Sequence, residues 1–193
     1  MKTYELVNNL VRTEDNLIQG VDDLDMAINH IVQLLTDAAG LFMRESYATA
    51  AFLSITACEE VAKAHIGSFT DGQHPEKNGR NIFRDHKTKH ALAARSTVPM
   101  GERLQKALGN NELTRLMSMA QNAGFVQIRE NALYFQRENG ELVTPLQKID
   151  KALSKSLVLF AIEVFDDALV GFTNHSMAID KCTDALFEQV ANA

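Results

Sequence analysis

The sequence predicts an all-α fold, a helical bundle with one short non-helical or hairpin insert near 124–143. Three observations carry that prediction. Apolar residues recur at three- and four-residue spacing through most of the chain. Glycine and proline are scarce, at 10 and 3 in 193 residues, so few turns interrupt the pattern. The one sustained departure is "FVQIRENALYFQRENGELVTP". There Val126, Ile128, Leu133 and Phe135 take alternating positions ahead of Asn139-Gly140, a turn pair typical of hairpins. A chain of this length can bury one substantial core, so 1–193 reads as a single helical domain.

In chain order, a short helix is expected over 4–11. A second runs over 22–41, with Leu24, Ile28, Ile31, Leu35 and Ala38 on one stripe. A bend near Gly40 separates it from a long helix in "SYATAAFLSITACEEVAKAHIGSF". The crowding of Gly, Pro and Asn-Gly makes "TDGQHPEKNG" a loop. Helix resumes near Phe83 and must yield before Pro99, because the residue ahead of a proline disfavours the α region. Another spans about 101–121. Beyond the insert and Pro145, "LQKIDKALSKSLVLFAIEVFDDALVGF" is strongly amphipathic, with Leu157, Leu159, Phe160, Ile162, Val164 and Phe165 on more than one side. That breadth suits either a central helix or one that also meets a second copy. A last helix covers 176–190.

Composition excludes some classes. Cys58 and Cys182 are far apart and supply neither a disulfide framework nor paired zinc-ligand spacing. A reducing, cytoplasmic setting is expected. No apolar run is expected to reach membrane-spanning length, and the start lacks the pattern of a secretory signal. The formal charge of −6 argues against a protein that coats nucleic acid non-specifically, but its distribution is uneven. Residues 1–60 hold 3 basic and 10 acidic side chains, whereas 74–106 hold 8 basic and 3 acidic ones together with His74, His86 and His90. One face can therefore attract a polyanion that the rest repels.

The helix after Ser46 carries apolar residues around nearly its whole cylinder. Ala48, Ala51, Ile55, Cys58 and Ala62 make one stripe, and Glu59 and Glu60 interrupt the wrapping. A carboxylate in such a helix needs a partner or a raised pKa. Lys63 lies four residues after Glu59, so the two are expected to form an intrahelical ion pair that holds a polar seam or, alternatively, to orient a catalytic or ligand-binding arginine or histidine from another helix. Ferritin-like metal spacing is absent: neither glutamate has a histidine at i+3. His86 and His90, four apart, lack a third ligand fixed by spacing. No metal and no cofactor are expected.

The stretch "NGRNIFRDHKTKH" is the basic concentration. With helix beginning near 81–83, Phe83, His86 and His90 share one side, and Arg84 and Lys87 another. Arg80 then sits at the helical start. Arginine matches phosphate oxygens with a planar fork, and histidine exchanges protons near neutral pH. Together they supply the parts for attack of a ribose 2′-hydroxyl on its neighbouring phosphate. The alternative is a solvated helix face beside a loop, which suits Lys77, Lys87 and Lys89. Partners such as Glu59, Glu60 or Asp85 would relieve the mutual repulsion of histidines clustered with arginines.

"AFLSITACEEVAKAHI" followed by "FRDHKTKH" resembles the AbiV group of abortive-infection proteins, a branch of the HEPN superfamily. Glu59-Glu60 with Lys63, then His86 with Lys89, carry the resemblance, and "IRENALYF" at 128–135 extends it. The likeness covers 24–170. It implies an all-helical homodimer acting in bacterial defence against phage. Many HEPN proteins are metal-independent endoribonucleases with arginine, four to six intervening residues and histidine as the active motif. Arg80 through His86 fits that motif, and so does Arg84 through His90; spacing does not choose between them. Arg80 and His86 are favoured, since His86 is also the AbiV-like histidine, with Glu59 orienting them. Glu60, Lys63, Arg84, Lys89 and His90 are secondary candidates. Both matches lie earlier in the chain than the motif of familiar HEPN nucleases, which weakens the carry-over of activity.

Two functions of different class follow. One is an RNA-cleaving toxin of phage defence with a cleft shared by two copies. The other is a non-catalytic module that binds a phage-encoded activator or a translation component and arrests growth. Whether the protein is an enzyme is left open by the residues themselves.

Overall fold

A computed structural model describes residues 17–69, 76–77, 80–81, 85–94 and 102–193. Among these are α1 (Val21–Met43), α2 (Tyr47–Phe69), β1 (Glu76–Lys77), β2 (Arg80–Asn81), α3 (His86–Ala93), α4 (Glu102–Leu108), α5 (Asn110–Gln121), α6 (Gly124–Leu133), β3 (Gln136–Glu138), β4 (Glu141–Val143), α7 (Pro145–Lys148), α8 (Lys151–Leu169) and α9 (Asn174–Ala191). The helix expected over 4–11 lies outside the described residues.

The molecule is organised around α2. One side of α2 meets α1 and α8, which also pack on α9; the other side meets α3 and α6. Alanines at 48, 50, 51, 57, 62 and 64 are all buried, so neighbouring backbones approach closely from both directions. Helix α1 presents Leu24, Ile28, Ile31, Leu35, Ala38 and Phe42 to this core, the stripe that its periodicity required. By length and mean hydropathy alone α1 could cross a bilayer, contrary to the expectation that no apolar run is long enough. Its apolar stripe, however, packs on α2, α8 and α9.

Helix boundaries follow local chemistry. Gly40 stays helical. The break comes at Glu45, whose φ of 62° turns the chain while Ser46 N–H donates to the Leu41 carbonyl at 2.9 Å. The span 101–121 is two helices, parted at Gly109 with φ of 80°, a region costly for any side chain-bearing residue. Asp150 caps α8 by accepting from Leu153 N–H at 2.8 Å, and Thr173 caps α9.

The hairpin forms where Asn139-Gly140 predicts it. Both residues have positive φ, and Arg137 pairs with Leu142. Residues 124–133 differ from expectation, since they are helical. Phe125, Ile128 and Ala132 lie at i, i+3 and i+7 and bury one helical face, so tertiary packing overrode a local alternation only a few residues long. Every residue from Ser156 to Phe165 is buried in α8. The apolar breadth of that helix is thus consumed within the chain and lends no support to a second copy.

Candidate functional site

Glu59 lies mid-way along α2 on the side facing α3 and α6, and is 3% exposed. Its partners follow from the register of α3. Asp85 caps that helix, accepting from Lys87 N–H at 3.2 Å and from Thr88 Oγ1 at 2.7 Å, which fixes its start after the loop. His86, Lys89 and His90 then fall at i, i+3 and i+4 and share one face. All three reach the same carboxylate. His86 Nδ1 lies 2.7 Å and Lys89 Nζ 3.1 Å from Oε2, while His90 Nε2 lies 2.8 Å from Oε1. The edge of His90 rests on Phe125, with ring centroids 5.6 Å apart.

Burial alone would raise the Glu59 carboxyl pKa. The hydrogen bond from His90, the Lys89 ammonium and the bond from His86 outweigh it and hold the group down at about 2. Glu59 is therefore held as an anion at neutral pH. An acceptor-only carboxylate assigns the proton of His86 to Nδ1, which leaves Nε2 as the outward nitrogen. Lys89 and His90 are sealed, but the His86 side chain is 43% exposed. The arrangement is a buried anion that orients a solvent-facing imidazole.

The structure thus brings Glu59, His86, Lys89 and His90 together. It does not bring Lys63 to Glu59. Lys63 pairs one residue on, with Glu60 at 2.9 Å, because Glu59 is turned into the α3 interface and Glu60 toward α1. Glu60 and Lys63 border an apolar cavity of about 460 Å³ with Met26, His30 and Ile31. Lys63→Ala should change stability by no more than about 0.5 kcal/mol, since partly exposed pairs one turn apart contribute little; urea denaturation checks this. Arg84 lies outside the described residues, and so does the side chain of Arg80. The backbone of Arg80 belongs to β2, paired with Lys77, which corrects its expected place at a helical start. The helix begins later because Asp85 supplies the cap.

One cation of this cluster is not among the residues that the sequence singles out. Arg129 on α6 stands 3.9 Å from Glu59 Oε1, its guanidinium 5.2 Å from the centre of the Phe52 ring. The only sequence signal for it is its place at the head of "RENALYF".

A second charged cluster lies between α4, α8 and α9. Arg103 bonds Glu163 at 2.6 Å and also Asp166 and Asp184, and covers the Phe187 ring at 4.5 Å. Burial raises Asp166 and Asp167 to about 6, partly opposed for Asp166 by Thr183 and for both by Arg103. Asp166, Asp180 and Asp184 offer oxygens within 4.8 Å of one another, and Arg103 already engages two of them.

A model of the HEPN_AbiV family, described as AbiV, matches residues 23–166. No curated protein and no solved structure matches the chain.

Proposed function

Since the chain belongs to the HEPN_AbiV family, which associates it with phage defence, we propose that it is a metal-independent endoribonuclease with His86 as its proton-transfer group. The observation that carries this reading is the 2.7 Å bond between the buried Glu59 and the half-exposed His86. A carboxylate that fixes one imidazole nitrogen and faces the charge gained at the other is the arrangement used for general-base catalysis. Nε2 of His86 takes the proton of a ribose 2′-hydroxyl. The O2′–P bond forms as the P–O5′ bond breaks, and the departing 5′-oxygen takes a proton from solvent. The products are a 2′,3′-cyclic phosphate and a 5′-hydroxyl. Arg80, matched by motif spacing, contacts the phosphate, and Glu59 is a positioning residue. Two copies of the chain form the cleft.

The test is cleavage of single-stranded RNA by purified protein in the presence of a chelator, alongside the same strand bearing 2′-O-methyl groups. His86→Ala should lower the rate at least about 100-fold while the circular-dichroism spectrum is unchanged. Retained cleavage rejects His86 as the base.

A second reading, a non-catalytic module that binds a phage or translation-related protein, has its own support. Tyr134, Phe135, Leu142 and Leu146 are all more than half exposed on and beside the β3–β4 hairpin, and exposed apolar groups of this kind mark protein contacts. Under that reading a Phe135→Ser, Leu142→Ser double variant loses growth arrest, whereas His86→Ala keeps it.

A further inference from the structure

The geometry points to Arg129 as the residue that binds a phosphate of the RNA strand beside His86. This inference rests on the nuclease reading for the identity of its ligand, though not for the existence of an anion site. Three observations carry it. Among the described residues the Arg129 side chain makes no hydrogen bond: its buried Nε has no partner, and it meets Glu59 only as a long ion pair at 3.9 Å. Glu59 is already engaged at hydrogen-bond distance by His86, Lys89 and His90, so Arg129 adds a cation to a carboxylate that does not need it. Its side chain is nevertheless 31% exposed and held over Phe52, which fixes the plane of the fork and leaves an edge toward solvent.

Charge counting gives the same answer. Lys89 and Arg129 outweigh Glu59 by one positive charge before either histidine takes a proton. Of the neighbouring acids, Glu60 is matched by Lys63, and Asp85 accepts from the Lys87 N–H and the Thr88 hydroxyl at the first turn of α3. Glu130, adjacent in sequence, is exposed and about 100° around the helix. A cationic surplus with unused planar donors fits a phosphodiester anion, whose two non-bridging oxygens match the guanidinium fork. Phe52 acts here as a positioning residue, and Arg129 as the ligand-contacting one.

The experiment measures affinity for a fully 2′-O-methylated single-stranded RNA, which cannot be cleaved, across a range of salt concentrations. Arg129→Gln should weaken binding about tenfold or more and make the salt dependence shallower by about 0.7 in log–log slope, the signature of one lost phosphate contact on a single strand. Arg129→Lys keeps the charge and loses the fork, so it should retain the slope while still binding more weakly. On cleavable RNA, KM should rise in Arg129→Gln with kcat changed less. Equal affinity and slope in wild type and Arg129→Gln, with thermal unfolding of both intact, overturns the assignment, as does failure of the wild-type protein to bind this RNA. Binding that depends on Arg129 in a protein that never cleaves rejects the nuclease reading alone and leaves the anion site standing.

Discussion

Glu59→Ala should destabilise the protein by about 3–5 kcal/mol, the range for removing one partner of a buried charge network, measured as a shift in urea midpoint at pH 7. The reason lies in what is left behind. Lys89 is 4% exposed and His90 is fully buried, and among the described residues Glu59 is the side-chain acceptor that both reach. Removing the carboxylate strands an ammonium and an imidazole in a space walled by α2, α3 and α6. Glu59→Gln should be milder, because it keeps the shape and one acceptor oxygen, yet it removes the charge facing His86. It should therefore separate the two roles of this residue, lowering RNA cleavage more than stability. The pH profile has a definite sign. Glu59 is lowered on folding from 4.5 to about 2, so its contribution is complete above pH 4.5 and is lost as pH falls toward 2. A Glu59→Ala protein within 1 kcal/mol of wild type would mean that Lys89 and His90 find other partners, and that the polar seam is not held by this carboxylate.

How much of this was legible beforehand differs by residue. The stripe of α1 and the wrapping of α2 were readable because helical periodicity reports burial directly. The Asn139-Gly140 turn was readable because positive φ at two successive positions selects those residues. The pairing of Glu59 was legible only in part. The mutual repulsion of clustered histidines called for a carboxylate such as Glu59, Glu60 or Asp85 without choosing among them, and an i, i+4 rule nominated Lys63 for Glu59, whereas the partner is chosen by which neighbouring helix lies against the residue. His86, Lys89 and His90 lie 27 to 31 residues away, and only the docking of α3 on α2 brings them in. Arg129 was harder still: 70 residues separate it from Glu59, and beyond its place at the head of "RENALYF" nothing local distinguishes it from a solvated arginine. The Arg103 cluster was invisible for a related reason. That arginine was counted as part of a basic segment, while its acids lie on α8 and α9, 60 to 81 residues on.

Arg103→Met should cost stability on the scale of the Glu59 change, about 3–5 kcal/mol at pH 7, with an opposite response to acid. Methionine keeps the apolar contact with Phe187 but leaves Glu163, which is 3% exposed, together with Asp166, without a cation. Asp166 and Asp167 are already raised from 3.8 to about 6 by burial. Groups raised on folding bind more protons in the native state between those two values, so their share of stability increases as pH falls through that window. Asp166 and Asp167 accordingly add stability as pH falls from about 6 to 3.8, while the Glu59 share is withdrawn only as pH falls from 4.5 toward 2. In Arg103→Met the carboxylates lose the one cation that favours their charged form, so acid should help more. The difference from wild type should be larger at pH 7 than at pH 5. Urea denaturation at the two pH values measures it directly. A difference that stays constant between them would show that Arg103 contributes by packing on Phe187, and that the charges around it are already relieved by solvent.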